Sequence, residues 1–122
     1  MAYATEAKMN FLFGSLAVTA WADKDRNAAA DTGAVADHLA EGDRYINRAF
    51  RPSRYRVPLE QKSSSSAPDD IVTLASKYAG WSLWFHSGRT GNQVAFMDKV
   101  KEDVDLEIAK ILKNGSLDAK EN

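Results

Sequence analysis

A chain of 122 residues is long enough for one cored domain and too short for two. A hydrophobic fraction of 44% and an aromatic fraction of 10% exclude a wholly disordered chain. Sixteen basic against 17 acidic residues, a net charge of −1, exclude a global attraction to nucleic acid or anionic lipid, and the absence of cysteine excludes disulfides, thiolate nucleophiles and cysteine-based zinc sites.

The sequence predicts an all-α fold: a single small helical-bundle domain over 1–122, built from about five helices, with a flexible loop at 59–67 and a C-terminal tail at 115–122. Thr5 caps a first short helix that runs to about Phe13, where Gly14 supplies a left-handed stop. A second short element spans 15–21, with Leu16, Val18 and Trp21 as its apolar residues. Together 11–20 are apolar enough for a signal-peptide core, and Ala20-Trp21-Ala22 mimics a cleavage site. The leader charge is missing, however, because Glu6 offsets Lys8, so this run is expected to stay with the domain; cleavage after Ala22 is the competing possibility. No apolar run reaches the ~20 residues of a membrane-spanning helix.

A polar turn, Asp23-Lys24-Asp25-Arg26-Asn27, leads to a third helix over about 33–50. Val35, Leu39, Gly42, Ile46 and Ala49 recur at steps of three and four and form its buried stripe. Asp37, Glu41, Arg44, Arg48 and Arg51 line the opposite side, where a solvated face complementing the helix C-terminus competes with a contact surface. Pro52 and Pro58 hold 51–59 extended, and the serine-rich run 60–67 is too polar to pack.

Pro68-Asp69-Asp70 opens a fourth helix. Ile71, Leu74, Ala75, Tyr78 and Ser82 define one face, while Val72, Ala79, Leu83, Trp81 and Trp84 carry apolar surface round the rest. Such a helix is either central in its domain or buried against another chain. After a turn at 87–92, a fifth helix over about 93–113 has Met97, Val100, Val104, Ile108 and Ile111 on its inner stripe. Lys99 with Asp103 and Lys101 with Asp105 pair on its wet side. Asn114-Gly115 ends it. In the tail that follows, Leu117 is the one large apolar group, and the segment is expected not to pack on its own.

Residue chemistry for catalysis is sparse. Asp23-x-Asp25-x-Asn27 copies the start of a calcium loop, but Ala28 stands where the turn needs glycine and Ala34 where a bidentate carboxylate is needed. His38, beside Asp37 and Glu41, is most simply a surface residue, and His86 is placed to meet the last carbonyls of its helix. The serines cluster where nothing rigid could hold a base against them. Gly88-Arg89-Thr90-Gly91 lacks the ending of a phosphate loop. No enzyme, metal or cofactor is expected. The strongest local signal is electrostatic: Arg44, Arg48, Arg51, Arg54 and Arg56 fall within 13 residues free of acid, interleaved with Tyr45, Phe50 and Tyr55. That pattern suits phosphates and bases, or carboxylates on a partner subunit.

The order of short motifs resembles the head–tail connector (adaptor) proteins of tailed phages, in particular the Mu-like subgroup. The opening Tyr3-Ala4-Thr5 leads through a short helix to Phe13-Gly14, then an acidic turn at 23–27 and a helix ending at Phe50. Arg54-Tyr55-x-x-Pro58-Leu59, a proline-initiated apolar helix from Pro68 and a last amphipathic helix ending near Gly115 complete the match. The serine insertion 63–66 and the heavier tryptophan cluster depart from that pattern. The resemblance implies a non-enzymatic virion protein of the neck, assembled in the host cytoplasm. It implies a self-associating ring, commonly dodecameric, under the portal protein and against a neck or tail-completion protein. DNA would pass through its channel without sequence-specific binding, and no membrane is involved. On this reading Arg44, Arg48, Arg51, Arg54, Trp81 and Trp84 form subunit or partner contacts, and Ile108, Ile111, Leu112 and Leu117 belong to a portal-docking segment, 108–122. The alternative is a small helical nucleic-acid-binding module using Arg44 to Arg56.

Overall fold

The computed structural model describes residues 3–23, 31, 33–87 and 94–122, and among them the regular structure is five α-helices. They are α1 (Glu6–Phe13), α2 (Ser15–Ala22), α3 (Ala34–Phe50), α4 (Asp69–His86) and α5 (Val94–Asn114). The all-α expectation holds. Asp25 and Asn27 of the calcium-like turn, and positions 88–92 of the turn before α5, lie outside the described residues.

Of the two places open to the fourth helix, the centre is the one it takes. α4 packs against α1, α2, α3 and α5. Ile71, Leu74, Ala75, Ala79, Leu83 and Trp84 are buried on it, and small residues let its neighbours come close. A Cβ built on Gly42 of α3 would lie 2.4 Å from the Ala75 carbonyl oxygen, so the α3 backbone rests directly on α4. On another side, a Cβ on Gly80 would lie 2.0 Å from the Phe13 ring. Met9, Val18, Trp21 and Ala22 bring the N-terminal apolar run into the same core. Thr5 caps α1 as expected, its hydroxyl accepting from the Lys8 N–H at 3.1 Å. Gly14, at φ +90° and ψ 136°, has the positive φ of a glycine joint but an extended ψ, and it links α1 to α2 instead of closing a left-handed cap.

The segments outside the helices are stitched in by tyrosine hydroxyls. Tyr3 donates to Asn47 Oδ1 at 2.6 Å and accepts the Leu59 N–H at 2.8 Å. The Tyr3 and Ala4 N–H groups both donate to Asp43 Oδ1 at 2.8 Å. Tyr55 accepts the Leu117 N–H at 3.1 Å and sits edge-on to Phe50. The Val57–Pro58 peptide is cis. In the serine run, the Gln61 N–H donates to the Ser66 carbonyl at 2.8 Å and the Ser66 N–H to Ser64 Oγ at 3.1 Å, so the loop turns back on itself.

The C-terminal tail corrects the sequence reading. Instead of staying unpacked, 116–122 returns antiparallel to 54–60. Tyr55 and Glu121 form a bridge, the Arg56 N–H donates to the Lys120 carbonyl, the Lys120 N–H to Glu60 and the Asn122 N–H to Arg54, each at 2.9 Å. Lys120 Nζ adds an ion pair to Glu60 at 2.9 Å. Leu117 and Ala119 alternate into the core, where Ile108 and Ile111 of α5 are also buried and Leu112 is half-buried. A portal-docking surface made of Ile108, Ile111 and Leu117 is therefore not exposed in this fold. The tail packs because backbone pairing satisfies its amides while every second side chain turns inward. Trp84 is likewise core and not subunit surface, fully buried on the inner side of α4.

The Gly42 contact yields a sign test. At an open helical site Gly→Ala stabilises by about 1 kcal/mol. Here the added methyl meets backbone, so Gly42→Ala is expected to destabilise by about 1–3 kcal/mol through overpacking. Urea unfolding checks this: the midpoint should fall at unchanged slope, and a rise would mean that α3 and α4 can separate without loss.

Candidate interaction surface

Helical spacing puts Arg44, Arg48 and Arg51 on one side of α3 and its C-terminus, and all three are exposed. Arg54 and Arg56 follow in the extended segment, where the inward turn of Tyr55 sends both outward. Two of the five are engaged within the chain. Arg44 pairs with Glu41, and the hydrogen bond it donates holds that carboxyl below its ordinary range. Arg56 approaches Glu60 at 3.6 Å. Among the described residues, Arg48, Arg51 and Arg54 form no ion pair with an acid, although the Arg54 guanidinium lies over Gly115. The arginine ridge is thus a surface with charge to spare on three of its members.

Beside the ridge lies an aromatic ladder that local spacing does not reveal. Tyr45 of α3 stacks on Tyr78 of α4 with centroids 4.0 Å apart. Tyr78 meets Trp81 at 5.6 Å, Trp81 meets Phe85 at 5.1 Å, Phe85 meets His86 at 5.5 Å and His86 meets His38 at 5.1 Å. Lys101 of α5 lies over the first three rings, 5.2 Å from Tyr45, 5.9 Å from Tyr78 and 5.6 Å from Trp81. It also pairs with Asp105 at 2.6 Å, and Tyr45 donates its hydroxyl to the same carboxylate. Lys101 and Asp105, expected as a wet-side pair, are instead part of an interhelical cluster. The signals within a single helix were Tyr78 and Trp81 at i,i+3 and Trp81 and Phe85 at i,i+4 on α4; Tyr45 and His38 come from α3 and Lys101 from α5.

Where the ladder meets the N-terminal half of α3, the helices leave an open cleft of about 620 Å³. Asp37, Glu41 and Arg44 contribute its charged lining, and Tyr78, Trp81 and Phe85 its aromatic wall. Of the residues singled out in the sequence, Arg44 and Trp81 are brought together here, while Trp84 is not. His38 and His86 also line the cleft, joined through Ser82. His38 Nδ1 lies 2.8 Å from the Ser82 hydroxyl, and His86 Nδ1 donates to the Ser82 carbonyl at 2.8 Å, the helix-end contact expected for it. Ser82 itself is buried, so His38 is more than a surface residue. Among the described residues, no three His, Asp or Glu side chains are placed to hold a metal ion, and no helix is long and apolar enough to cross a membrane.

The ladder predicts an alkaline limit to stability. Burial raises the Tyr3, Tyr45 and Tyr78 hydroxyls above their ordinary value. Burial works against the Lys101 ammonium, but the Asp105 hydrogen bond together with the Tyr45 and Asp105 charges outweighs it, and its pKa also rises. All four groups hold their protons more tightly folded than unfolded. Their contribution is complete below about pH 10, where unfolded tyrosine and lysine begin to titrate, and is lost as pH rises through the raised values. Urea midpoints measured from pH 8 upward should stay level and then fall, and Tyr45→Phe should make the fall shallower. An unchanged slope in that variant would remove Tyr45 from the account.

Comparisons with protein-family models, with curated proteins and with solved structures find no match to this chain.

Proposed function

We propose that this chain is a structural virion subunit, a head–tail connector of a tailed phage that closes into a ring beneath the portal. In that role it continues the DNA channel and offers a platform to the next neck or tail component, without catalysis or cofactor. One observation carries the reading: the Arg-Tyr-x-x-Pro-Leu block, central to the resemblance, has a divided role in this fold. Tyr55 and Leu59 are buried and bind the N-terminus, the extended segment and the tail into one body. Arg54 and Arg56 face outward and extend the ridge begun by Arg44, Arg48 and Arg51. A motif that both locks the subunit and presents charge fits an assembly part.

A ring subunit must offer two different faces that meet head to tail. The arginine ridge is one candidate, suited to carboxylates on a neighbour. Phe11 and Leu16, 78% and 88% exposed at the α1–α2 joint, supply an apolar patch elsewhere. Portal docking by 108–122 requires the tail to exchange its pairing with 54–60 for the portal, since Leu117 is buried in the isolated subunit. Deleting 116–122 is therefore a poor test of docking, because it also removes Leu117 and Ala119 from the core.

The cleaner test reverses charge on the ridge. Arg48→Glu with Arg51→Glu, both at exposed positions, should leave the monomer folded with its helical signal, at a modest loss in melting temperature from carboxylates at the C-terminus of α3, while blocking incorporation into portal-bound rings seen by negative stain. Normal incorporation would reduce the ridge to a solvated face. A salt titration against duplex DNA separates the nucleic-acid alternative. Affinity falling steeply with added salt would favour that module, whereas the connector needs none for free DNA.

A further inference from the structure

We propose that the arginine ridge is a docking surface for α5 of a second copy of this chain, with Leu106 of that copy seated in the hollow that the ridge borders. The hollow lies where the C-terminal ends of α3 and α5 approach, a space of about 380 Å³ lined by Ala49, Pro52, Tyr55 and Leu112 together with Ser53 and Arg54. It is mostly apolar, because Ser53 already donates its hydroxyl to the Phe50 carbonyl at 2.6 Å. Arg48 and Arg51 are the chain neighbours of Ala49 and Pro52, so three arginines without an acid partner among the described residues accompany an apolar depression. The outer face of α5 is its complement. Leu106 is 51% exposed, and within four residues of it the exposed charges are Glu102, Asp103 and Glu107 against one base, Lys110. Lys99 holds Asp103 at 3.3 Å, whereas Glu102 and Glu107 form no ion pair among the described residues.

Charge complementarity points to a second copy as the occupant. Five of the 16 basic residues stand in the 44–56 run, so over the rest of the chain the 17 acidic residues outnumber the bases, and the ridge meets an acidic surface in its own kind. The geometry of α5 excludes an internal contact. That helix supplies Leu112 to the hollow and also carries Leu106, and at 3.6 residues per turn the two side chains leave it about 120° apart. A rigid α5 cannot turn Leu106 into the hollow of its own chain. Between copies, a leucine flanked by carboxylates matches a hollow flanked by guanidinium groups, and its burial excludes water from the ion pairs around it. Two different patches meeting in this way make the heterologous contact of a ring. The contact therefore deepens the connector reading and rests on it for the head-to-tail arrangement, but it needs neither portal nor DNA to form.

The chain has no cysteine, so single introduced thiols report proximity without background. Pro52→Cys marks the hollow and Ala109→Cys the outer face of α5, both at exposed positions. Mixed and treated with a short bismaleimide, the two full-length variants should join at least about tenfold faster than either joins itself. A chain carrying both thiols should give products beyond the dimer, as head-to-tail contacts do. Glu102→Lys with Glu107→Lys on the Ala109→Cys chain should slow the joining about tenfold. Arg48→Glu with Arg51→Glu on the Pro52→Cys partner should then restore it, with circular dichroism checking that each variant is folded. Mixed pairs that join no faster than like pairs, indifference to charge reversal, no recovery in the doubly reversed mixture, or products that stop at the dimer would overturn the contact. The portal assay fails separately. Thiol joining without incorporation into portal-bound rings keeps the contact and removes the connector reading, and incorporation without joining does the reverse.

Discussion

The structure depends on one constraint: α4 is apolar round most of its circumference and must be enclosed. In a 122-residue chain a single further helix cannot do this, so α1 and α2, α3 and α5 each take a side. Enclosure at short range requires neighbours without bulk, which is why Gly42 meets Ala75 and Ala79 while Gly80 receives the Phe13 ring. The large groups then have defined places. Trp84, Ile71 and Leu83 fill the inner side of α4, and Met97, Val104 and Ile108 of α5 close another.

Enclosing a helix leaves the connecting segments to be secured, and their amides need partners once they are drawn against the core. Tyrosine suits that task because it combines a large apolar ring with a hydroxyl able to donate and accept. Tyr3 joins the N-terminus to α3 and to Leu59, and Tyr55 joins the extended segment to the tail. The inward turn of Tyr55 has an outward consequence. In extended chain its neighbours face the other way, so Arg54 and Arg56 are driven to the surface by the residue that anchors them. Packing and surface charge are therefore coupled in one short motif.

The near-balance of charge hides a strong local pattern. Acids and bases pair along single helices, as Lys101 does with Asp105 on α5, and the ladder beneath gives that cation a second, aromatic, partner. The arginines at the end of α3 have no such arrangement. A surface charge left without a partner costs little in water, and cations at the C-terminal end of α3 complement the helix dipole, so the fold accommodates these residues whether or not a partner meets them.

Helix content and helix positions were legible in the sequence, because apolar spacing, caps and proline or glycine stops act within a few residues; for α4 the sequence left two places open, and packing chose the centre. The exposed arginine run was legible for the same reason. The burial of Leu117 and Ala119 was not: the tail looks too polar to pack until 54–60 supplies backbone partners, and those lie more than 50 residues away. Nor could spacing show that Lys101 leaves its helical wet face for rings of α3 and α4, or that Trp81 would line a cleft while Trp84 filled the core. Such facts depend on which sides of three helices meet, and that is decided by packing across the domain, where residues far apart in sequence share one local environment.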